Sequence, residues 1–322
     1  MGEIGMNLHV RGSDAATVKR QFDLMAAMDV TWVRVDVDWS ATEPEQGRLD
    51  WESSDLIVDE AIARHMNVLI VLAYTPDWAR SPAAAGSSPV SHLRPVDFTR
   101  YATFARTAAQ RYAARGVHNW EIWNEPNSTK FWPPRPDANE YAALFRAVMA
   151  AIRGVDPKAT LLIGGLTPKT DESTASPAEY LEQLYRNGTA RLADAVAFHP
   201  YSTPALPFVS EHASGGFKDM AALHAVMDGH GDGGKKIWIT EFGAATGTSP
   251  NAVSDQGQAH ALDRARQLAG NWDWAGPLIY YELVDGGTDL ADEEQNYGVF
   301  RVDLSPKPAA IELTNAASRS VR

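Results

Sequence analysis

The feature that most constrains this chain is an alternation, repeated eight times, of a short apolar run with an amphipathic segment. The apolar runs are residues 4–7, 32–37, 68–73, 120–124, 161–166, 195–199, 237–241 and 278–283. Most are rich in Val, Ile, Leu or aromatics, the pattern of strands buried on both faces. The segments between them have helical periodicity. Residues 15–28 place Val18, Phe22, Met25 and Met28 on one stripe. A Ser53-Ser54 capping signal precedes 55–66. Gly116 ends 98–115, Gly154 and Pro157 close 141–153, and Ser176-Pro177 and Gly188 bracket 178–186. Residues 219–227, 258–269 and 309–317 complete the set. Strand–crossover–strand connections this regular imply a parallel sheet. Eight such units in 322 residues predict an α/β chain closed into one (β/α)8 TIM-barrel domain over 1–322. The rival, an open doubly wound sheet, usually has a Gly-rich phosphate loop after its first strand. Here that strand runs into Asn7-Leu8-His9-Val10.

Composition narrows the partners. The net charge is −12, from 29 Lys and Arg against 41 Asp and Glu. An acidic surface repels phosphate, so nucleic acid and anionic membranes are poor partners. No apolar run approaches the ~18 residues of a membrane span, so no membrane insertion is expected. With no cysteine there is no disulfide, thiolate nucleophile or cysteine metal site. The start, Met1-Gly2-Glu3-Ile4, lacks a basic region followed by an apolar one. The protein is therefore expected in the cytoplasm or, with a leader already removed, secreted or periplasmic. A monomer is expected.

In such barrels the chemistry sits at the C-terminal ends of the strands. There the sequence collects Arg34, Asp36 and Trp39; Tyr74, Asp77 and Trp78; Asn124 and Glu125; His199 and Tyr201; Glu241; and Tyr280, Tyr281 and Glu282. Glu125 and Glu241 each close an otherwise apolar strand, the fourth and the seventh, which stand roughly opposite in an eight-stranded barrel. Two carboxyl groups flanking one bond are what glycoside hydrolysis requires. Trp39, Trp78, Trp123 and Trp132 lie on or just beyond strand ends, where flat aromatic faces suit the C–H faces of sugar rings. His9 and His92 read as structural. The acidic run of Asp285, Asp289, Asp292, Glu293 and Glu294 offers oxygen ligands for Ca²⁺ but lacks EF-hand spacing, and reads as a solvated loop. No H-E-x-x-H or G-x-S-x-G is present, so no metal, no cofactor and no serine nucleophile are expected. Asn127-Ser128-Thr129 and Asn187-Gly188-Thr189 match the glycosylation sequon.

The strings EIWNEPN (121–127) and IWITEFG (237–243) resemble the acid/base and nucleophile signatures of glycoside hydrolase clan A, whose retaining enzymes carry both glutamates at the ends of strands four and seven. The blocks 32–51, 69–79, 198–201 and 280–309 resemble those of family 39 and cellulase-like members, in the same order. The resemblance implies a carbohydrate substrate, a poly- or oligosaccharide, with Glu125 as acid/base and Glu241 as nucleophile. It places Asn124 against the hydroxyl next to the anomeric carbon and Arg34 beside Glu241. Tyr201 would hydrogen-bond the nucleophile and His199 would line the pocket. The clan's strand-eight Trp is replaced here by Tyr280, Tyr281 and Glu282. Two other classes compete with this reading. One is a barrel that binds glycan without cleaving it. The other is a metal-dependent lyase or isomerase using the carboxylates and His199 as ligands. Long loops at 75–97, 127–137 and 201–217 suit either a groove or a pocket, and the sugar stays open.

Overall fold

The computed structural model describes residues 3–10, 12–82, 88–169, 171–203 and 214–320. Eight parallel strands close into a barrel: β1 (Ile4–Asn7), β2 (Trp32–Asp38), β3 (Asn67–Ala73), β4 (Asn119–Asn124), β5 (Thr160–Leu166), β6 (Ala195–Phe198), β7 (Lys236–Phe242) and β8 (Ala275–Tyr280). Each strand neighbours the next, and β8 pairs with β1. The crossover helices are α1 (Ala15–Ala27), α2 (Glu52–Ala63), α3 (Phe98–Ala113), α4 (Ala138–Arg153), α5 (Pro177–Arg186), α6 (Phe217–Gly229), α7 (Asp255–Ala269) and α8 (Pro308–Ser320). A one-turn helix, Trp39–Thr42, follows β2. A two-residue ladder pairs Ser202–Thr203 with Ser214–Gly215. The parallel barrel is the fold the alternation predicts.

Strand alternation explains how one barrel carries both a core and a site. In β2, Val33, Val35 and Val37 join the main core shared with the helices. The intervening Trp32, Arg34 and Asp36 face the barrel axis. Trp32 belongs to a small interior cluster with Leu69, Leu162, Trp238 and Ile279. Arg34 bonds across the barrel to β4 and β7, and Asp36 reaches the mouth. The helices brace the strand ends. Tyr141 of α4 donates its hydroxyl to the Ile122 carbonyl at 2.8 Å and accepts from the Gly164 N–H at 2.8 Å.

Most boundaries differ from expectation by one to three residues, and two of the differences are instructive. Helix α2 starts at Glu52, ahead of Ser53-Ser54, because the Asp50 carboxylate upstream accepts the Glu52 N–H at 3.0 Å. Strand β8 ends at Tyr280, whose hydroxyl bonds the Leu262 carbonyl in the core at 2.9 Å, while Tyr281 lines the pocket. Residues 83–87 of the small-residue loop 81–91, and 204–213 of the loop after β6, lie outside the described residues.

Candidate active site

The site is built upward from one buried cation. Arg34 of β2 is 2 % exposed. Its Nε and Nη2 donate to both oxygens of Glu121 at 2.9 and 3.2 Å. Nη1 donates to Asn7 Oδ1 at 2.8 Å and to Glu241 Oε1 at 2.7 Å. Nη2 also donates to Asn124 Oδ1 at 3.1 Å. A buried guanidinium needs this complete set of acceptors, since one left unpaired costs several kcal/mol. Glu121 is itself fully buried. Burial alone would raise its carboxyl, but the Arg34 charge and hydrogen bonds from His199 and Arg34 outweigh that and hold it down at about 2. Sequence reasoning gave Glu121 no role, because a carboxylate inside a strand has no pattern of its own.

At the end of β4 the backbone enters the left-handed region at Trp123 (φ 69°) and Glu125 (φ 42°). Such backbone is uncommon in residues other than glycine and clusters at functional sites. Here strand alternation breaks: Trp123 packs into the core against Trp132 and Tyr101, while Asn124 and Glu125 both reach the pocket. Across the mouth stands Glu241 of β7. Its Oε1 accepts from Arg34, and its Oε2 accepts from the Tyr201 hydroxyl at 3.0 Å.

His199 lies between the two glutamates. Its Nδ1 is 3.0 Å from Glu125 Oε1 and 3.6 Å from Glu241 Oε2. Its Nε2 is 3.1 Å from Thr240 Oγ1. Gly165 makes room for the ring: a Cβ there would lie 2.0 Å from His199 Nε2. Burial pushes His199 down, but the Glu241 charge and hydrogen bonds to Glu121 and Glu125 more than reverse this and carry it up to about 9. Glu125, His199 and Glu241 offer donor atoms within 4.8 Å of one another. Both Glu241 oxygens accept protein hydrogen bonds and His199 bonds Glu125, so the three groups form a connected ion-pair network.

The pocket above this network has a volume of about 220 Å³. Asp36, Tyr74, Asn124, Glu125, Tyr201, Glu241 and Tyr281 line it, as does His9. Three residues expected to touch substrate act from beneath instead: Arg34, His199 and Glu282, each at most 2 % exposed. Glu282 Oε2 bonds His9 Nδ1 at 2.8 Å. His9 also pairs with Asp36 at 3.8 Å. Burial would lower His9, but hydrogen bonds and charges from Asp36 and Glu282 raise it to about 9.

The tryptophan platforms need correction. Trp39 and Trp132 are 0 % exposed. Trp39 packs among Trp78, Tyr101 and Phe104, and Trp132 against Trp123 and Tyr141. Neither presents a face to a sugar. Trp78 is half-buried beside Trp39, donates to the Glu43 carbonyl at 2.9 Å, and lines a different surface hollow. The acidic run is not one solvated loop either, since Asp285 is buried against Lys307 at 2.7 Å. Asn127 of the first sequon is fully buried, its amide donating to the Thr167 and Ala175 carbonyls.

The sequence reading gave Lys130, Phe131 and Tyr297 no role and Glu294 only a place in the acidic run, yet these four complete the pocket wall. Lys130 Nζ lies 3.5 Å from Glu294 Oε1. These residues belong to the loops after β4 and β8, strands four places apart in the closed order. The pair therefore crosses the mouth of the barrel. Nothing in the sequence joins two loop residues 164 positions apart.

Comparison with known proteins places this geometry. Residues 1–276 match the family model described as cellulase, glycosyl hydrolase family 5. A family 39 glycoside hydrolase from the gut symbiont Bacteroides cellulosilyticus WH2 superposes with a TM-score of 0.77 at 22% identity, over 98% of this chain and 63% of that one. A GH5_18 structure from Streptomyces cattleya in complex with GlcNAc gives a TM-score of 0.68 at 15% identity, over 99% and 80%. A β-xylosidase from Geobacillus stearothermophilus is 30% identical over 124 residues, which is 34% of this chain and 23% of that protein. The chain thus spans less than two thirds of the length of the family 39 structure, and the alignment covers about a quarter of the xylosidase.

Proposed function

The chain belongs to the cellulase family, glycosyl hydrolase family 5, and from that premise we propose that this glycoside hydrolase works by a retaining double displacement, with Glu125 as acid/base and Glu241 as nucleophile. The observation that carries the reading is the separation of the two carboxylates, whose nearest oxygens lie within 4.8 Å. Retaining enzymes hold the pair ~5–5.5 Å apart, whereas inverting ones need ~6.5–9.5 Å to seat a water. Both Glu241 oxygens accept from donors, Arg34 and Tyr201, the environment of a carboxylate. Glu125, the proposed acid, faces it across the pocket. Glu241 attacks the anomeric carbon as Glu125 protonates the leaving oxygen. Water, deprotonated by Glu125, then releases the sugar from the same face. Asn124 spends its carbonyl oxygen on Arg34, which leaves its amide N–H groups for the hydroxyl beside the anomeric carbon. Asp36, Tyr74 and Tyr281 take the rest of the ring.

The size of the pocket favours a chain end. Its volume of about 220 Å³ lies below the ~300–1,000 Å³ of pockets for drug-sized ligands, and suits one sugar unit. The Lys130–Glu294 pair over the mouth obstructs a continuous polymer. Short glycosides and chain termini are therefore the substrates proposed. The xylosidase and family 39 relatives make an aryl β-xyloside the first probe, beside the β-glucoside and β-galactoside. Proton NMR of the first-formed sugar should show the β anomer before mutarotation. The α anomer appearing first would overturn the mechanism. Binding of xylo- or gluco-oligosaccharides with no turnover of any probe would favour a glycan-binding barrel.

A further inference from the structure

Glu121 is a buried carboxylate that the double displacement does not use, yet it lies against both buried cations of the network, Arg34 and His199. Oε1 accepts from the Gly165 N–H at 2.8 Å and from the Thr240 hydroxyl at 3.3 Å, and lies 3.7 Å from His199 Nε2. Both oxygens accept from Arg34. These contacts fix proton positions two bonds away. The Thr240 hydroxyl spends its proton on Glu121, so it can only accept from His199, and Nε2 must be a donor. The other nitrogen, Nδ1, faces Glu125 at 3.0 Å and Glu241 at 3.6 Å. The charged groups around the ring are Glu121 from β4, Glu125 just beyond it, Glu241 from β7 and Arg34 from β2, with the Tyr201 ring beside it.

We propose that Glu121 is a positioning residue: its fixed charge keeps both nitrogens of His199 as donors, which directs the Glu125 proton onto Oε2, toward the leaving group. This rests on the assignment of Glu125 as acid. If His199 were neutral with Nδ1 bare, Nδ1 would accept the Glu125 proton and turn it away from the sugar. With His199 a cation, Oε1 of Glu125 accepts and the acid proton stays on the opposite oxygen. Charge also balances at each stage. Among these five groups, with Glu125 holding the proton that the proposed acid must deliver, Arg34 and His199 offset Glu121 and Glu241 in the free enzyme. In the glycosyl-enzyme Glu241 is an uncharged ester and Glu125 an anion, and the sum is again zero. The His199 Nδ1–H spans both carboxylates and can follow the charge from one to the other.

The test compares Glu121→Gln, which keeps shape and loses charge, with Glu121→Asp, which keeps charge. The first readout needs no substrate: ring-nitrogen NMR of His199 against pH, assigned with a His199→Gln reference. In the native protein His199 should stay doubly protonated past pH 8, in keeping with its rise to about 9. In Glu121→Gln it should titrate at least one unit lower, and in Glu121→Asp it should stay near the native value. The second readout is leaving-group dependence with aryl β-xylosides. Glu121→Gln should lose roughly 10–100-fold in kcat for phenol-type leaving groups, part of the ~10²–10⁴ that proton donation supplies. With dinitrophenol it should lose little. Native-like His199 titration in Glu121→Gln, or equal losses with all leaving groups, would overturn the proposal. Should Glu121→Gln fail to fold, a folded Glu121→Asp in which His199 titrates near 6.5 overturns it too, and native-like titration there supports it. Absence of turnover in the native protein, beside normal NMR titrations, would instead indict the glycosidase mechanism.

Discussion

At the floor of the barrel Trp32, Leu69, Leu162, Trp238 and Ile279 close the interior without a charge, and Trp32 meets Trp238 edge to face with centroids 4.9 Å apart. Further along the same strands the interior residues are Arg34, Glu121 and Thr240, then His199 and the two glutamates. Both layers are buried, but by different physics. The floor gains by removing apolar area from water, an effect that is additive and forgiving of exact geometry. The mouth gains only if every charge finds its partners, because burying an unpaired ion costs more than any packing contact returns. The floor should therefore govern stability and the mouth should govern chemistry.

The largest effect that can break this contrast is at the mouth. Glu241→Ala should abolish turnover, for good and poor leaving groups alike, since no other group there can form the glycosyl bond. Glu125→Ala should lose ~10²–10⁴-fold with poor leaving groups and far less in the first step with dinitrophenol, where the covalent intermediate should build up. Arg34 keeps Glu121 and Asn7 in both variants, so both should fold, with Glu241→Ala, which removes one of the Arg34 acceptors, melting below Glu125→Ala. Mass spectrometry of the trapped intermediate and parallel melts check the pair. Equal losses in the two variants with every leaving group would refute the division of roles.

The converse experiment is at the floor. Trp238→Ala empties a large buried volume and should cost ~3–5 kcal/mol of stability. The kcat of the protein that remains folded should not change, because the tryptophan packs in the floor cluster against Trp32 and does not line the pocket. Urea unfolding gives the first quantity and active-site-normalised turnover the second. A loss of kcat at native stability would show that the floor sets the geometry of the mouth, and the contrast would fail.

How much was legible in the sequence follows the same division. Eight short apolar runs alternating with amphipathic segments announce a barrel because strand burial is a local pattern. Glu125 and Glu241 were legible because each ends such a run inside a recognisable string. Arg34, Asn124 and Tyr201 followed from the family resemblance, and the structure places all three within hydrogen-bonding reach of Glu241 or Arg34. Trp39 and Trp132 were misread because an aromatic at a strand end looks the same whether its ring turns into the core or over the pocket; here the crossover aromatics Tyr101 and Tyr141 claim them. His9 read as structural because its partners, Asp36 and Glu282, come from β2 and the segment after β8. Glu121 looks like a fault in an apolar strand until the partners Arg34 and His199 are seen across the barrel. Such pairings are made by closure of the sheet, not by neighbours along the chain.

The smallest effect tests the rim, where the contrast between floor and mouth gives out. Lys130 and Glu294 are 57% and 63% exposed. An ion pair this wet is worth ~0–1 kcal/mol, far less than the buried pairs below it, so it can open at thermal cost to let a sugar in. Yet it spans opposite loops, and an internal segment of a polymer must part it while a chain end or an aryl glycoside can pass beside it. Replacing both residues with Ala should therefore raise kcat/KM on soluble β-1,4-xylan by at most about fivefold, the factor that ~1 kcal/mol allows, and leave the aryl β-xyloside unchanged. Polymer viscosity should fall faster per bond cut, because internal bonds become reachable. In ~1 M salt, where charges are screened within ~3 Å, the native protein should approach the double variant. An equal gain on both substrates would mean that the pair slows sugar entry in general. No gain on xylan at low salt would mean that the pocket walls, Tyr74 and Tyr297 with Phe131, select the chain end by shape alone.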